Sequence, residues 1–130
     1  MPLNAVALDS SVLIEHYRVK NKDNSLLSRL TSRFEEFCVS PLVLYEVGIG
    51  QADARLFDLS PILDELTVLS FDENVVAEAA AIYRALKKSN KIIDHFDILI
   101  AATAIVNDLP LATFNRSHFE RIQDLKVVGM

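Results

Sequence analysis

Short apolar runs alternate along the chain with longer stretches of mixed polarity. Leu3 to Leu8, Phe37-Cys38-Val39, Thr67-Val68-Leu69, Leu111-Ala112-Thr113 and Lys126-Val127-Val128 are brief and largely apolar, the signature of buried strands. Helices are predicted between them, from about Ser10 to Tyr17 and from about Ser25 to Glu36. Ser40-Pro41 opens another, through about Ala54, with the proline where a first helical turn tolerates it. A short helix near Pro61 to Glu65 precedes the third strand. Asp72 then caps an amphipathic helix to about Ser89, with Val75, Val76, Ala79, Ala80, Ile82, Tyr83 and Leu86 expected on its inner side. Residues 92–104, IIDHFDILIAATA, form a helix that is apolar on almost every side after Asp97. Arg116 to Arg121 is a last short helix. This alternation predicts an α/β fold with a parallel sheet covered on both faces. The apolar helix then belongs between the sheet and other helices. With no internal repeat, low-complexity tract or linker, residues 1–130 read as one domain, long enough to bury its own core.

Composition narrows the function classes. The chain carries a formal net charge of -5, which argues against holding nucleic acid through a broad basic surface. It leaves open an enzyme that meets phosphates through metal ions, because carboxylates gathered for a metal make a chain acidic. Two basic groups, Arg18-Val19-Lys20-Asn21-Lys22 and Arg84, Lys87, Lys88 and Lys91, are either solvated faces or a track for phosphates. A hydrophobic fraction of 51% leaves room for a dimer or partner interface. The single Cys38 excludes an intrachain disulfide and, between Phe37 and Val39, reads as core. No basic, apolar leader and no run of about 18 apolar residues is present, so a cytoplasmic protein without membrane attachment is expected.

The candidate chemistry lies in acids placed at strand ends. In open parallel sheets, ligands bind beyond the carboxyl ends of the strands. Asp9 ends the first strand, where it is either an N-cap or a site residue. Glu46 lies within the helix that follows the second strand, among Leu42, Val43, Tyr45, Val47 and Ile49. Asp94 and Asp97 stand at i and i+3 at the head of the apolar helix. A cap and the helix dipole explain Asp94 well and Asp97 less well. Thr113 and Asn115 follow the next strand. Converging carboxylates repel one another, and a divalent cation relieves that repulsion. An oxygen ligand set without Cys or His suits Mg²⁺ or Mn²⁺ and not zinc. His16, His95 and His118 have no metalloprotease spacing and read as surface or interface residues. The chemistry such a site suits is hydrolysis of a phosphodiester, with metal ions activating water and stabilising charge on the attacking and leaving oxygens.

Taken in order, Leu8-Asp9-Ser10-Ser11-Val12-Leu13-Ile14, Glu46 with Gly48, Asp97-Ile98-Leu99-Ile100-Ala101-Ala102 with Ala104, and Thr113-Phe114-Asn115 with His118-Phe119 resemble the PIN domain. More narrowly, the chain resembles the VapC toxin ribonucleases of VapBC toxin–antitoxin pairs. The resemblance implies a three-layer α/β/α sandwich with a central parallel sheet of four or five strands, usually as a homodimer. It implies a metal-dependent endoribonuclease in which Asp9, Glu46 and Asp97 hold Mg²⁺ or Mn²⁺, with Ser10 and Thr113 as supporting hydroxyls. The family's fourth acid is here Asn115, which offers a carbonyl oxygen but removes one negative charge from a second metal position. Asp94 is either a plain N-cap or a partial replacement for that charge.

The resemblance also implies a VapB-like antitoxin as partner. Its bound segment is expected over the groove between the first two helices and the Glu46 helix, offering an arginine to the acids. The expected substrate is tRNA, rRNA or mRNA in a single-stranded or loop region, since sequence-specific recognition of RNA mostly targets unpaired bases. Other classes fit less well. A haloacid-dehalogenase-type phosphatase needs a second Asp where Ser11 stands, and a response-regulator receiver needs an Asp after a central strand, where Phe37-Cys38-Val39-Ser40 offers none. The alternative left open is a catalytically silent PIN-like module that binds RNA or a protein, for which Asn115 is the supporting feature.

Overall fold

The computed structural model describes residues 4–50 and 64–129. Five strands carry the fold: β1 (Ala5–Leu8), β2 (Glu36–Val39), β3 (Leu66–Val68), β4 (Leu111–Ala112) and β5 (Val127–Val128). All pair in parallel, in the order β3-β2-β1-β4-β5. The helices are α1 (Ser10–Arg18), α2 (Leu26–Leu30), α3 (Pro41–Gly50), α4 (Glu73–Lys88), α5 (His95–Val106) and α6 (Arg116–Phe119), with a 3₁₀ turn at Lys22–Asn24. The chain builds outward from β1 through β2 to β3, then crosses to β4 and β5 on the other side. Right-handed crossovers in opposite directions put helices on opposite faces of the sheet. They also make the crevice between β1 and β4 the point where strand order reverses, the favoured ligand position in such sheets. The sheet is the one expected, at the upper strand count.

The middle of the sheet is dry on both sides. Val6, Val39, Leu111 and Ala112 have no exposed surface and Leu8 almost none, so these strands read as continuous apolar runs without alternation. Helix α5 packs against this centre through Ile98, Ala101, Ala102 and Ala104, all buried. Its small side chains let the helix approach closely and fix the position of its first turn. Asn90 and Asp108 follow α4 and α5 with positive φ (58° and 55°), the left-handed step that Asn and Asp tolerate and that commonly ends a helix.

Capping residues act as the sequence suggested. Ser40 Oγ accepts from the Leu42 amide at 3.1 Å ahead of Pro41. Asp72 Oδ1 accepts from Asn74 and Val75 at 3.0 and 3.3 Å, and Asp94 Oδ2 accepts from the Phe96 amide at 3.0 Å.

Several expectations need correction. The helix expected from Ser25 to Glu36 ends at Leu30. Beyond it the Thr31 and Ser32 hydroxyls donate back to the carbonyls of Ser28 and Arg29 at 2.6 and 3.0 Å. Such bonds compete with helix continuation, and Glu36 joins β2 instead. In α4 the covered stripe is narrower than expected: Val75, Ala79, Ile82 and Leu86 are buried, whereas Val76 and Ala80 are exposed and Tyr83 is only partly covered. His16 is a core residue and not a surface one. It is 9% exposed, with Nδ1 2.5 Å from Ser25 Oγ, and burial, then Lys22, holds its pKa below the ordinary imidazole value, against Glu15. Lys22 caps the end of α1, its Nζ donating to the carbonyls of Tyr17 and Val19 at 2.7 and 2.8 Å. The third strand and α6 are displaced or shortened by one or two residues at an end. The end of the α3 prediction, through Ala54, and the start of the short helix near Pro61 lie outside the described residues. Among the described residues no helix is long and apolar enough to cross a membrane.

Candidate active site

Asp9 stands where β1 passes into α1, and its backbone amide is bonded to the Ala112 carbonyl at 2.9 Å. The residue occupies the N-cap position of α1, yet its side chain makes no cap hydrogen bond. The carboxylate, 1% exposed, turns across the sheet instead. Oδ2 accepts from Ser11 Oγ and from Thr113 Oγ1, each at 2.8 Å. These hydroxyls are themselves held from behind: Ser11 Oγ accepts from the Phe114 amide at 3.1 Å and Thr113 Oγ1 from the Asn115 amide at 2.9 Å. A backbone amide thus faces one side of each hydroxyl, and the carboxylate takes its proton on the other. Among the described residues Oδ1 has one hydrogen-bond partner, Ser10 Oγ at 3.5 Å, and so keeps acceptor capacity free.

The other acids approach this centre from two helices. Asp97, in the first turn of α5, has a side chain 15% exposed, with Oδ2 3.5 Å from His118 Nδ1. Burial, then the charges of Asp9 and Asp94, push its carboxyl above the ordinary carboxylate range, against a lesser opposing pull from His118. Glu46 on α3 is raised as well. Burial is the main cause, a hydrogen bond from Ser10 opposes it, and the charges of Asp9, Asp97 and Asp94 add to it. Among the described residues Glu46 Oε1 is buried without a hydrogen-bond partner, a costly state for a carboxylate oxygen. Asp94 is both the cap of α5 and a contributor to the field on Glu46 and Asp97. Of the two readings of Asp94, the cap is the one seen in the structure.

Asp9, Glu46, Asp97 and Asp94 consequently share one electrostatic environment, while Ser10 and Thr113 sit beside Asp9. Asn115 joins through its backbone amide, and the residue itself is exposed at the head of α6. Among the described residues no three His, Cys, Asp or Glu side chains close into a preformed metal cage. Mutual repulsion and a buried Glu46 oxygen without a partner among the described residues suit a hard cation that keeps several waters and takes one or two carboxylates directly. They do not suit a closed zinc site.

A family model described as the PIN domain matches residues 6–125. Ribonuclease VapC19 of Mycobacterium tuberculosis is 31% identical over 119 residues, covering 92% of this chain and 95% of that protein. The chain belongs to the PIN-domain family, in its VapC branch. Ribonuclease VapC1 of Methanocaldococcus jannaschii is likewise 31% identical over 123 residues, covering 92% of this chain and 82% of that protein. A DNA-bound VapBC crystal structure from Salmonella typhimurium shares the fold, with a TM-score of 0.84 at 22% identity over 98% of each chain. The VapC resemblance of the acid-bearing segments thus extends over most of the chain.

Three positions escaped the sequence reading. Ser11 was read only as part of the run that follows Asp9, and its hydroxyl serves that carboxylate. His118 was set aside as a surface residue, and although half exposed it faces Asp97. Gly129 follows β5, where an added Cβ would run into the Thr113 carbonyl oxygen. No local pattern marks any of the three, because each partner lies on a distant part of the chain.

Proposed function

We propose that this VapC-type chain is an endoribonuclease that hydrolyses RNA phosphodiester bonds with Mg²⁺ or Mn²⁺, acting as the toxin of a type II toxin–antitoxin pair. The observation that carries the reading is the state of Asp9. Its Oδ2 is taken by Ser11 and Thr113, its Oδ1 is left available, and its charge adds to the burial that raises Glu46 and Asp97. A structural aspartate in a core would not be surrounded by further acids.

Asp9, Glu46 and Asp97 are the proposed metal ligands. Asp94 adds negative potential, and Asn115, which matches the family's fourth acidic position in sequence, would offer a carbonyl oxygen. When bound, such a cation activates water and stabilises charge on the phosphodiester oxygens. The chain's own contribution is alignment. Thr113 and Ser11 fix the Asp9 carboxylate, and α5, clamped by Ile98, Ala101 and Ala102, fixes Asp97. Such rigidity matters because displacement at phosphorus needs its groups in line.

A VapB-like antitoxin is the proposed partner, supported by relatives crystallised as VapBC complexes. Exposed Val76 and Ile92 offer apolar surface for the proposed homodimer. The cytoplasm is the proposed compartment, in keeping with a single buried, unpaired cysteine. The test is incubation of partner-free protein with a mixed pool of structured RNAs, with Mg²⁺ or Mn²⁺ and with EDTA. Metal-dependent cuts support the reading. A folded protein that cuts nothing favours the second reading, a silent binding module, which Asn115 supports. Absence of metal binding on titration would then establish that module.

A further inference from the structure

The nuclease reading leaves unanswered how an acidic chain holds RNA beside its carboxylates. A net charge of -5 limits what phosphate contacts can supply. The residues flanking two of the acids suggest another source. Tyr45 precedes Glu46 on α3, and Phe96 precedes Asp97 on α5. Their rings meet edge to face, with centroids 6.0 Å apart and planes at 78°. Edge-to-face packing leaves at least one face of each ring uncovered by the other. Tyr45 is 56% exposed, whereas Phe96 is half-buried and anchors it.

The pair also bridges the two helices that bring Glu46 under the charge of Asp97. It is therefore held in register with the acids. Bases carry an aromatic face whatever their identity, and unpaired bases stack readily on such rings.

We infer that Tyr45, braced by Phe96, is a stacking shelf for an unpaired base next to the scissile phosphate, and so a specificity-determining residue of the nuclease. The inference rests on the nuclease reading and deepens it. It assigns unpaired RNA as the substrate class, because a base within a duplex has no free face to offer. Part of the affinity for substrate is then insensitive to salt, unlike phosphate contacts.

The test uses an oligoribonucleotide spanning a cut site mapped with wild-type protein and Mn²⁺. A series of the same oligonucleotide carries one abasic residue at each position near the cut. Tyr45→Ala is expected to lower kcat/KM about tenfold, the order of one lost base–aromatic stack, chiefly through KM. Tyr45→Phe keeps the wild-type rate. One abasic position costs the wild type a similar factor and costs Tyr45→Ala nothing more, which a merely structural role for the ring would not produce. Phe96→Leu, which loosens the brace, gives a smaller loss at that same position. The inference is overturned if Tyr45→Ala cleaves like wild type. It is also overturned if the tenfold loss persists on every abasic substrate, or accompanies dissociation of a dimer on size exclusion. Wild-type protein that cuts no RNA overturns the nuclease reading first and this inference with it. Cleavage by wild type with an unaffected Tyr45→Ala overturns this inference alone.

Discussion

Thr113 Oγ1 donates a hydrogen bond to Asp9 Oδ2 at 2.8 Å, joining the carboxyl end of β4 to that of β1 across the point where strand order reverses. Both residues are buried. The bond fixes one carboxylate oxygen and leaves the other available.

Replacing Thr113 by Val keeps the shape and removes that donor, along with the acceptor for the Asn115 amide. Leaving such buried groups unpaired costs about 1–3 kcal/mol. Urea denaturation should show a loss of that order, with Thr113→Ser retaining most of the stability. Weaker Mn²⁺ binding by Thr113→Val in calorimetry would show that the hydroxyl serves the site as well as the fold.

Gly129 bears on the same residue from the opposite direction. A methyl group there collides with the Thr113 carbonyl oxygen, and this partner is backbone, which yields little. Overpacking of this kind typically costs about 1–3 kcal/mol. Gly129→Ala should therefore melt at a lower temperature and lose RNA cleavage, although position 129 lies far from the acids in sequence.

The acids carry a pH signature. Glu46 and Asp97 hold their protons more tightly in the folded chain than in the unfolded one. Between the ordinary carboxylate range and their raised values the folded state binds more protons, so stability of the metal-free protein falls as pH rises through that window. His16, whose pKa is lowered, works in the opposite direction: its contribution is lost as pH falls through the ordinary imidazole value. Glu46→Gln isolates the acidic part. It should melt above wild type at neutral pH without metal, and its melting temperature should depend less on pH. Added Mg²⁺ should stabilise wild type at neutral pH and lose that effect on acidification, because ligands must be deprotonated to bind.

Cys38 tests the interior of the sheet. The side chain is 2% exposed, and burial, with Glu36 adding to it, pushes the thiol up to about 11. Since only the thiolate reacts readily, a thiol reagent should label native protein slowly at neutral pH and label it rapidly in denaturant. Fast labelling of the native state would mean that β2 opens locally.

Features that depend on neighbours in the chain were legible in the sequence. The apolar runs of β1, β2 and β4, the caps Ser40, Asp72 and Asp94, and proline at the start of α3 all signal through local chemistry. The premature end of α2 shows where local reading fails, because Thr31 and Ser32 turn their hydroxyls onto the preceding helical carbonyls. The face of α4 was overdrawn for another reason. Val76 and Ala80 are apolar but lie beside the contact stripe, and composition does not reveal how wide that stripe is. At the site the acids were recognisable by residue type and order. The partners that orient them were not. Asp9 meets Thr113 across 104 positions, and the roles of Ser11 and His118 arise only once β1, β4 and α5 are assembled.

Asp97 is proposed to serve chemistry and not the fold. The most direct test is RNA cleavage by partner-free Asp97→Asn beside wild type, with Mn²⁺, alongside thermal unfolding of both. Cleavage is expected to be abolished while the variant remains folded, melting no lower than metal-free wild type because a repelled charge has been removed. A variant that unfolds would make Asp97 a structural cap, and one that cleaves RNA at the wild-type rate would remove it from the active site.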